Sequence, residues 1–155
     1  MTIRKAEERD IPRIDDLLLQ VLRIHYNARP DIFRPETRKY TDEELKEIIA
    51  DPERPVFVAD VDGKVEGYAF CIFLQHTDSN NLTDIRTLYI DDLCVDENCR
   101  GLHIGKDLYR YVLDFAREAG CYNVTLNVWR GNESARGFYE AMGMSYQKYV
   151  MEQIL

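Results

Sequence analysis

What this chain lacks narrows its class before any motif is read. No apolar run is long enough to span a bilayer. The amino terminus, Met1-Thr2-Ile3-Arg4-Lys5-Ala6-Glu7-Glu8-Arg9-Asp10, is charged where a signal peptide would be apolar, so the expected setting is the cytoplasm with no membrane partner. Cysteine is scarce. Cys71, Cys94, Cys99 and Cys121 form no C-x-x-C pair and no histidine cluster stands at zinc spacing, so reduced thiols and no metal are expected. Cys71, Cys94 and Cys121 fall in strand-like apolar stretches and read as small core residues, whereas Cys99 falls in a polar turn. Positive charge is in deficit, with Lys+Arg 20 against Asp+Glu 28 and a net charge of −8. That balance argues against a nucleic-acid surface, which needs a basic stripe to displace counterions, and is compatible with a cationic substrate.

The chain has 155 residues, 45% of them hydrophobic and 31% charged, with no repeat or low-complexity tract, which suits one domain over residues 1–155. Ile3 opens a short strand, and Asp10 and Pro12 suit the start of a helix on which Ile14, Leu17, Leu18, Val21 and His25 share a face. After the break at Asn27 to Pro35, Thr41-Asp42-Glu43-Glu44 has the capping-box form for a second helix ended by Asp51-Pro52. Val56 to Val61 and Val65 to Leu74 read as a hairpin turned at Asp62-Gly63. A polar loop from Gln75 to Asn81, holding His76, precedes a strand from about Thr83 to Val95. Leu108, Val112, Phe115 and Ala119 mark one face of a helix from Ile104, stopped by Gly120. Val124, Leu126 and Val128 alternate on a strand, Asn132 can cap a helix that ends at Gly143, and Met144 to Met151 reads as a closing strand. These patterns support an α/β or α+β class.

One stretch carries chemistry. Leu93-Cys94-Val95-Asp96-Glu97-Asn98-Cys99-Arg100-Gly101-Leu102-His103-Ile104-Gly105-Lys106 leads from a strand through a turn into an amphipathic helix. Backbone N–H groups at a helix start lack intrahelical partners and lie at the positive end of the helix dipole, so they receive anionic oxygens, and Arg100 and Lys106 add charge. The spacing is neither that of a P-loop nor G-x-G-x-x-G.

Arg100 to Gly105 instead resembles the acyl-CoA pyrophosphate loop R/Q-x-x-G-x-G/A of the GCN5-related N-acetyltransferase (GNAT) family, with His103 standing for the middle glycine. Downstream, Asn132-Glu133-Ser134-Ala135-Arg136-Gly137-Phe138-Tyr139-Glu140-Ala141-Met142-Gly143-Met144 resembles the family's N-x-x-A-x-x-F-Y-x-x-x-G-F segment, with Met144 replacing the last Phe. The resemblance covers most of the chain. It implies the acyl-CoA N-acyltransferase fold, a central mixed, mostly antiparallel sheet flanked by helices, and acetyl-CoA as co-substrate without a metal. It also allows a homodimer, which is common in the family.

The resemblance further implies roles. Arg100, Gly101, Leu102, His103, Ile104, Gly105 and Lys106 would cradle the pyrophosphate. Leu93, Cys94 and Val95 would lie along the pantetheine, whose amides pair with free strand backbone. Tyr139 matches the general acid toward the CoA thiolate, and Asn132 would hold the pantetheine side, cap its helix, or do both. An alkylammonium near pKa ~10.4 must lose a proton before it attacks. Tyr89-Ile90-Asp91-Asp92 offers two carboxylates expected on opposite strand faces; Asp91 either matches a base acting through water or is a salt-bridged or solvated strand carboxylate, and Asp92 reads as the latter. For His103 the expectation is an ordinary φ at a helix entry.

His25 suits either the core or an acceptor cleft, and Trp129 packing beneath the second motif. Arg29 and Arg34 read as exposed loop residues or as partners of a carboxylate-bearing acceptor. The reading is an N-acetyltransferase acting on a primary amine, be it a small amine, an amino acid or a peptide or protein amino group, by direct attack in a ternary complex. The competing readings are a non-catalytic acyl-CoA-binding regulatory domain and an acyltransferase with another acyl chain or a hydroxyl acceptor.

Overall fold

The computed structural model describes residues 1–155. The elements in order are β1 (Thr2–Lys5), α1 (Ile11–Ala28) entered through a 3-10 turn at Glu8–Asp10, α2 (Asp42–Ala50), β2 (Val56–Val61), β3 (Lys64–Gln75), β4 (Arg86–Val95), α3 (Ile104–Glu118), β5 (Asn123–Leu126) and α4 (Glu133–Ala141). They build a 5-stranded sheet in the order β1-β2-β3-β4-β5. The first four strands are antiparallel and β4 pairs with β5 in parallel, with α3 as the crossover such a pair requires. No helix is long and apolar enough to cross a membrane.

Local chemistry explains most of these boundaries. Thr41 accepts from the Glu44 N–H while the Thr41 N–H donates to Glu44, closing the capping box at α2. The β2–β3 turn takes φ of 53° at Asp62 and 85° at Gly63, the two positive values that a two-residue turn of the I′ kind requires. Asp10 departs from its expected role. Its carboxylate accepts from the Glu7 N–H, closing the 3-10 turn, and pairs with Arg4 at 2.7 Å instead of capping α1.

Alternation in the strands buries both sheet faces. Val56 and Val58 of β2 pack with Ile14, Leu17 and Leu18 of α1 and Leu45 and Ile48 of α2. Their neighbours Phe57 and Ala59 pack with Leu108 and Val112 of α3 on the other side. Gly67 of β3 permits this closeness, since a Cβ there would stand 2.9 Å from the Cys94 carbonyl oxygen and 3.0 Å from Leu108 Cδ1.

Two further expectations fail. The stretch Met144 to Met151 forms no strand, and Tyr149, Val150 and Met151 are 80%, 86% and 92% exposed. A strand needs a neighbour to pair with, and within one chain this segment has none. The carboxylates of Asp91 and Asp92 do not point to opposite faces. Phe70 faces Asp92 and Cys71 faces Ile90, so Asp91 is an extra, unpaired residue, a β-bulge. The bulge resets the alternation, and both carboxylates reach the α1 side, where the Lys39 ammonium lies 3.1 Å from Asp91 and 3.7 Å from Asp92.

Candidate active site

β4 carries the site because it outruns its parallel neighbour. The ladder with β5 ends at Ile90 opposite Leu126, yet β4 continues to Val95. From Asp91 to Val95 the edge toward β5 therefore has no strand partner, and its backbone groups are open to a ligand. Leu93 and Val95 turn to the α3 side of this segment, and Cys94 turns away. The Cys94 thiol is buried against α1, 3.6 Å from the Leu17 carbonyl, and burial pushes it up to about 12. Only the Cys94 backbone is thus available for binding.

At the far end of β4 lies a groove of about 950 Å³. It is lined by Val95, Arg100, Gly101, His103, Ile104, Gly105 and Lys106, with Phe138 and Ser134 from α4 opposite. Leu102 is not among its walls and stands 64% exposed. Arg110, on the same face of α3, adds positive charge that the motif spacing did not flag, while Arg117 beside it is paired with Asp114 at 2.6 Å. His103 immediately precedes α3 with φ of 63°, not the ordinary value expected. The turn needs the left-handed region there, which explains the glycine of the family pattern, and His is among the residues that enter that region more readily than most.

The start of this turn is anchored from below. Arg13 of α1 donates 2.9 Å to Glu66 and also to Asp96, the residue that follows β4. Asp96 in turn accepts from Gln20 at 3.0 Å and from the Asn98 N–H at 2.8 Å. Hydrogen bonding from Arg13 holds Asp96 well below the ordinary carboxylate range. Glu66, Asp96 and Cys99 lie close together, but Arg13 and Lys64 already neutralise the two carboxylates.

At the other end of the open edge is a second cavity, of about 620 Å³. Asp91, Asp92 and Leu93 form its floor, α1 supplies His25, and Tyr139, Asn132 and Trp129 close it from the α4 side. His25 packs on Phe33 at 5.1 Å, and Phe33 meets Trp129 edge-on at 5.4 Å, giving one aromatic wall. Trp129 thus lines this cavity. Arg34 also borders it, whereas Arg29 lies over the Trp129 ring and pairs with Asp31 and Glu152. Asn132 caps α4 through the Ala135 N–H at 3.2 Å and borders this cavity, not the cradle groove.

The electrostatics of the cavity follow from burial. Asp92 accepts from the buried Tyr68 hydroxyl at 3.1 Å, and loss of hydration raises it above the usual carboxylate value, partly offset by Lys39 and His25. Burial lowers Lys39, but the charges of Asp92 and Asp91 outweigh it and leave it raised, a firmly held ammonium. Burial pushes the Tyr139 phenol up, with the Asp92 charge adding, so its hydroxyl keeps its proton at neutral pH. Burial lowers His25, leaving it neutral there. Lys39 and Tyr40, whose hydroxyl lies 3.4 Å from Asp91, are site residues that the sequence reading missed. They belong to an irregular connection without a motif and reach the site only through the fold.

The sequence model of the Acetyltransferase (GNAT) family matches residues 20–144. The chain belongs to this family. Among curated relatives, glucosamine 6-phosphate N-acetyltransferase of Arabidopsis thaliana is 34% identical over 65 residues, 42% of this chain and 42% of its own length. An uncharacterized N-acetyltransferase from Lactobacillus delbrueckii subsp. lactis is 24% identical over 147 residues, 92% of this chain and 83% of its own. Among solved structures, a tetramutant of the BH1408 protein from Bacillus halodurans superposes with a TM-score of 0.95 at 29% identity, covering 100% of each chain. An aminoglycoside N-acetyltransferase in complex with CoA shares the fold at a TM-score of 0.74 and 16% identity, over 99% of this chain and 98% of its own. This GNAT chain thus has the mixed sheet flanked by helices that the resemblance implies.

Proposed function

We propose that this protein transfers the acetyl group of acetyl-CoA to a primary amine by direct attack in a ternary complex. The observation that carries the proposal is the open edge of β4 from Asp91 to Val95, which runs from a cationic groove to an aromatic-walled cavity with two carboxylates on its floor. Acetyl-CoA supplies the activated acyl group as a thioester. Gly101 to Lys106 would receive its pyrophosphate on backbone N–H groups at the start of α3, with Arg100 and Lys106 adding charge. Backbone groups of Leu93, Cys94 and Val95 would hydrogen-bond the pantetheine amides, and Asn132 would border them while capping α4.

In the acceptor cavity the amine must arrive cationic and react neutral. Asp91, half-buried on the bulge, would draw the ammonium in and accept its proton, directly or through a water molecule. Asp92 would stay in place as a fixed negative charge held by Tyr68. The Tyr139 hydroxyl, kept protonated by burial, would donate toward the leaving thiolate. The pair of carboxylates beside Tyr139, arranged so that they hold an ammonium, favours this reading over a non-catalytic acyl-CoA-binding domain, which would have no use for an ammonium site. A cytoplasmic setting and the absence of a metal belong to the same proposal.

The test is a calorimetric titration with acetyl-CoA, with CoA and ATP as separate titrants, followed by an amine panel read by thiol release. Micromolar-range binding that weakens in Arg100→Ala, together with turnover of at least one amine, is the expected result. Absence of binding would overturn the whole reading, and binding without turnover of any amine would leave the regulatory alternative.

A further inference from the structure

The acceptor cavity already contains an ammonium. Lys39, on the connection between α1 and α2, extends its Nζ to 3.1 Å from Asp91 Oδ2 and 3.7 Å from Asp92 Oδ2, and the same Nζ lies 5.3 Å from the Tyr40 ring centre. An ammonium between two carboxylates and against an aromatic face is what an incoming amine substrate would present. The cavity that Lys39 lines also holds Tyr139 and Leu93, the groups assigned above to the thiol and the pantetheine. Resting on that assignment, we propose that Lys39 is itself an acceptor, acetylated on Nζ by its own active site.

The step balances. The Nζ–C bond forms and the C–S bond of the thioester breaks. The ammonium gives up two protons, one to the Asp91 carboxylate and one, by way of the Tyr139 hydroxyl, to the CoA sulfur. The products are an amide and a free thiol. Binding of acetyl-CoA would shield the Lys39–Asp91 pair from water, and a drier setting favours neutral amine and carboxylic acid over the ion pair. The amide formed carries no charge, so Asp91 and Asp92 lose their internal cation.

Two reagents separate this from ordinary surface chemistry. Lys39 is held as an ammonium by Asp92 and Asp91, so toward acetic anhydride without acetyl-CoA it should react more slowly than the exposed lysines Lys5, Lys46 and Lys148, which make no ion pair. With acetyl-CoA the order should invert. Peptide mass spectrometry should find acetyl first on Lys39, slowed about a hundredfold in Asp91→Asn and slowed also in Tyr139→Phe. A protein that binds acetyl-CoA calorimetrically while Lys39 lags behind the exposed lysines, or one in which Asp91→Asn has no effect, overturns this inference and leaves the proposed function standing. Failure to bind acetyl-CoA overturns both.

Discussion

Replacing Arg13 with Met removes the cation shared by Asp96 and Glu66 beneath the cradle turn. Those carboxylate side chains are only 5% and 10% exposed, so the variant leaves two charges in a poorly hydrated place. Removing one partner of a buried pair costs about 3–5 kcal/mol. Three features pull the expectation lower. Arg13 is itself 20% exposed, Lys64 still pairs with Glu66 at 2.6 Å, and Gln20 and the Asn98 N–H still donate to Asp96. We expect a loss of about 2–3 kcal/mol at neutral pH, or roughly 5–10 °C in Tm for a domain of this size.

The sign of the pH dependence follows from the same contacts. Arg13 lowers Asp96. Burial alone would raise Glu66, but Lys64 and Arg13 outweigh it and lower that group as well. Carboxylates held below their unfolded values contribute stability that is fully present above the ordinary range near pKa ~4 and is lost as pH falls through the depressed values. The gap between wild type and Arg13→Met should therefore be widest at neutral pH and narrow in acid. Urea denaturation followed by circular dichroism across that range is the assay. A variant within about 0.5 kcal/mol of wild type at neutral pH, or a gap that does not change in acid, would refute the account of the clamp.

At His103 the positive φ should make His103→Gly stable to within about 1 kcal/mol, with acetyl-CoA affinity retained, while His103→Val should lose about 1–2 kcal/mol; urea midpoints and calorimetry check both. Gly67→Ala should cost about 1–3 kcal/mol, because the nearest atom to the new methyl is a backbone oxygen that cannot swing aside. A thermal midpoint equal to that of wild type would refute this. Tyr139→Phe should lower turnover by about a hundredfold with acetyl-CoA affinity unchanged, and an unaltered rate across a pH series would remove the general-acid role.

The primary sequence determines much of this protein by local rules. The capping box at Thr41, the Asp62-Gly63 turn and the apolar spacing of α1 each depend on residues a few positions apart, and each forms as expected, while on α3 Leu108 and Val112 are buried as expected and Ala119 falls past the helix end. The family, too, was legible, because the two motifs that carry it are contiguous stretches in a fixed order. The tertiary structure decided what depends on pairing between distant segments. The bulge at Asp91 arises from the register of β4 against β3, and it turns two carboxylates that simple alternation separates toward one lysine from a connection without a motif. The positive φ at His103 is imposed by the path from β4 into α3, not by the residue's own preference. The segment from Met144 has the composition of a strand and no partner within its own chain, and a strand exists only where another backbone stands beside it.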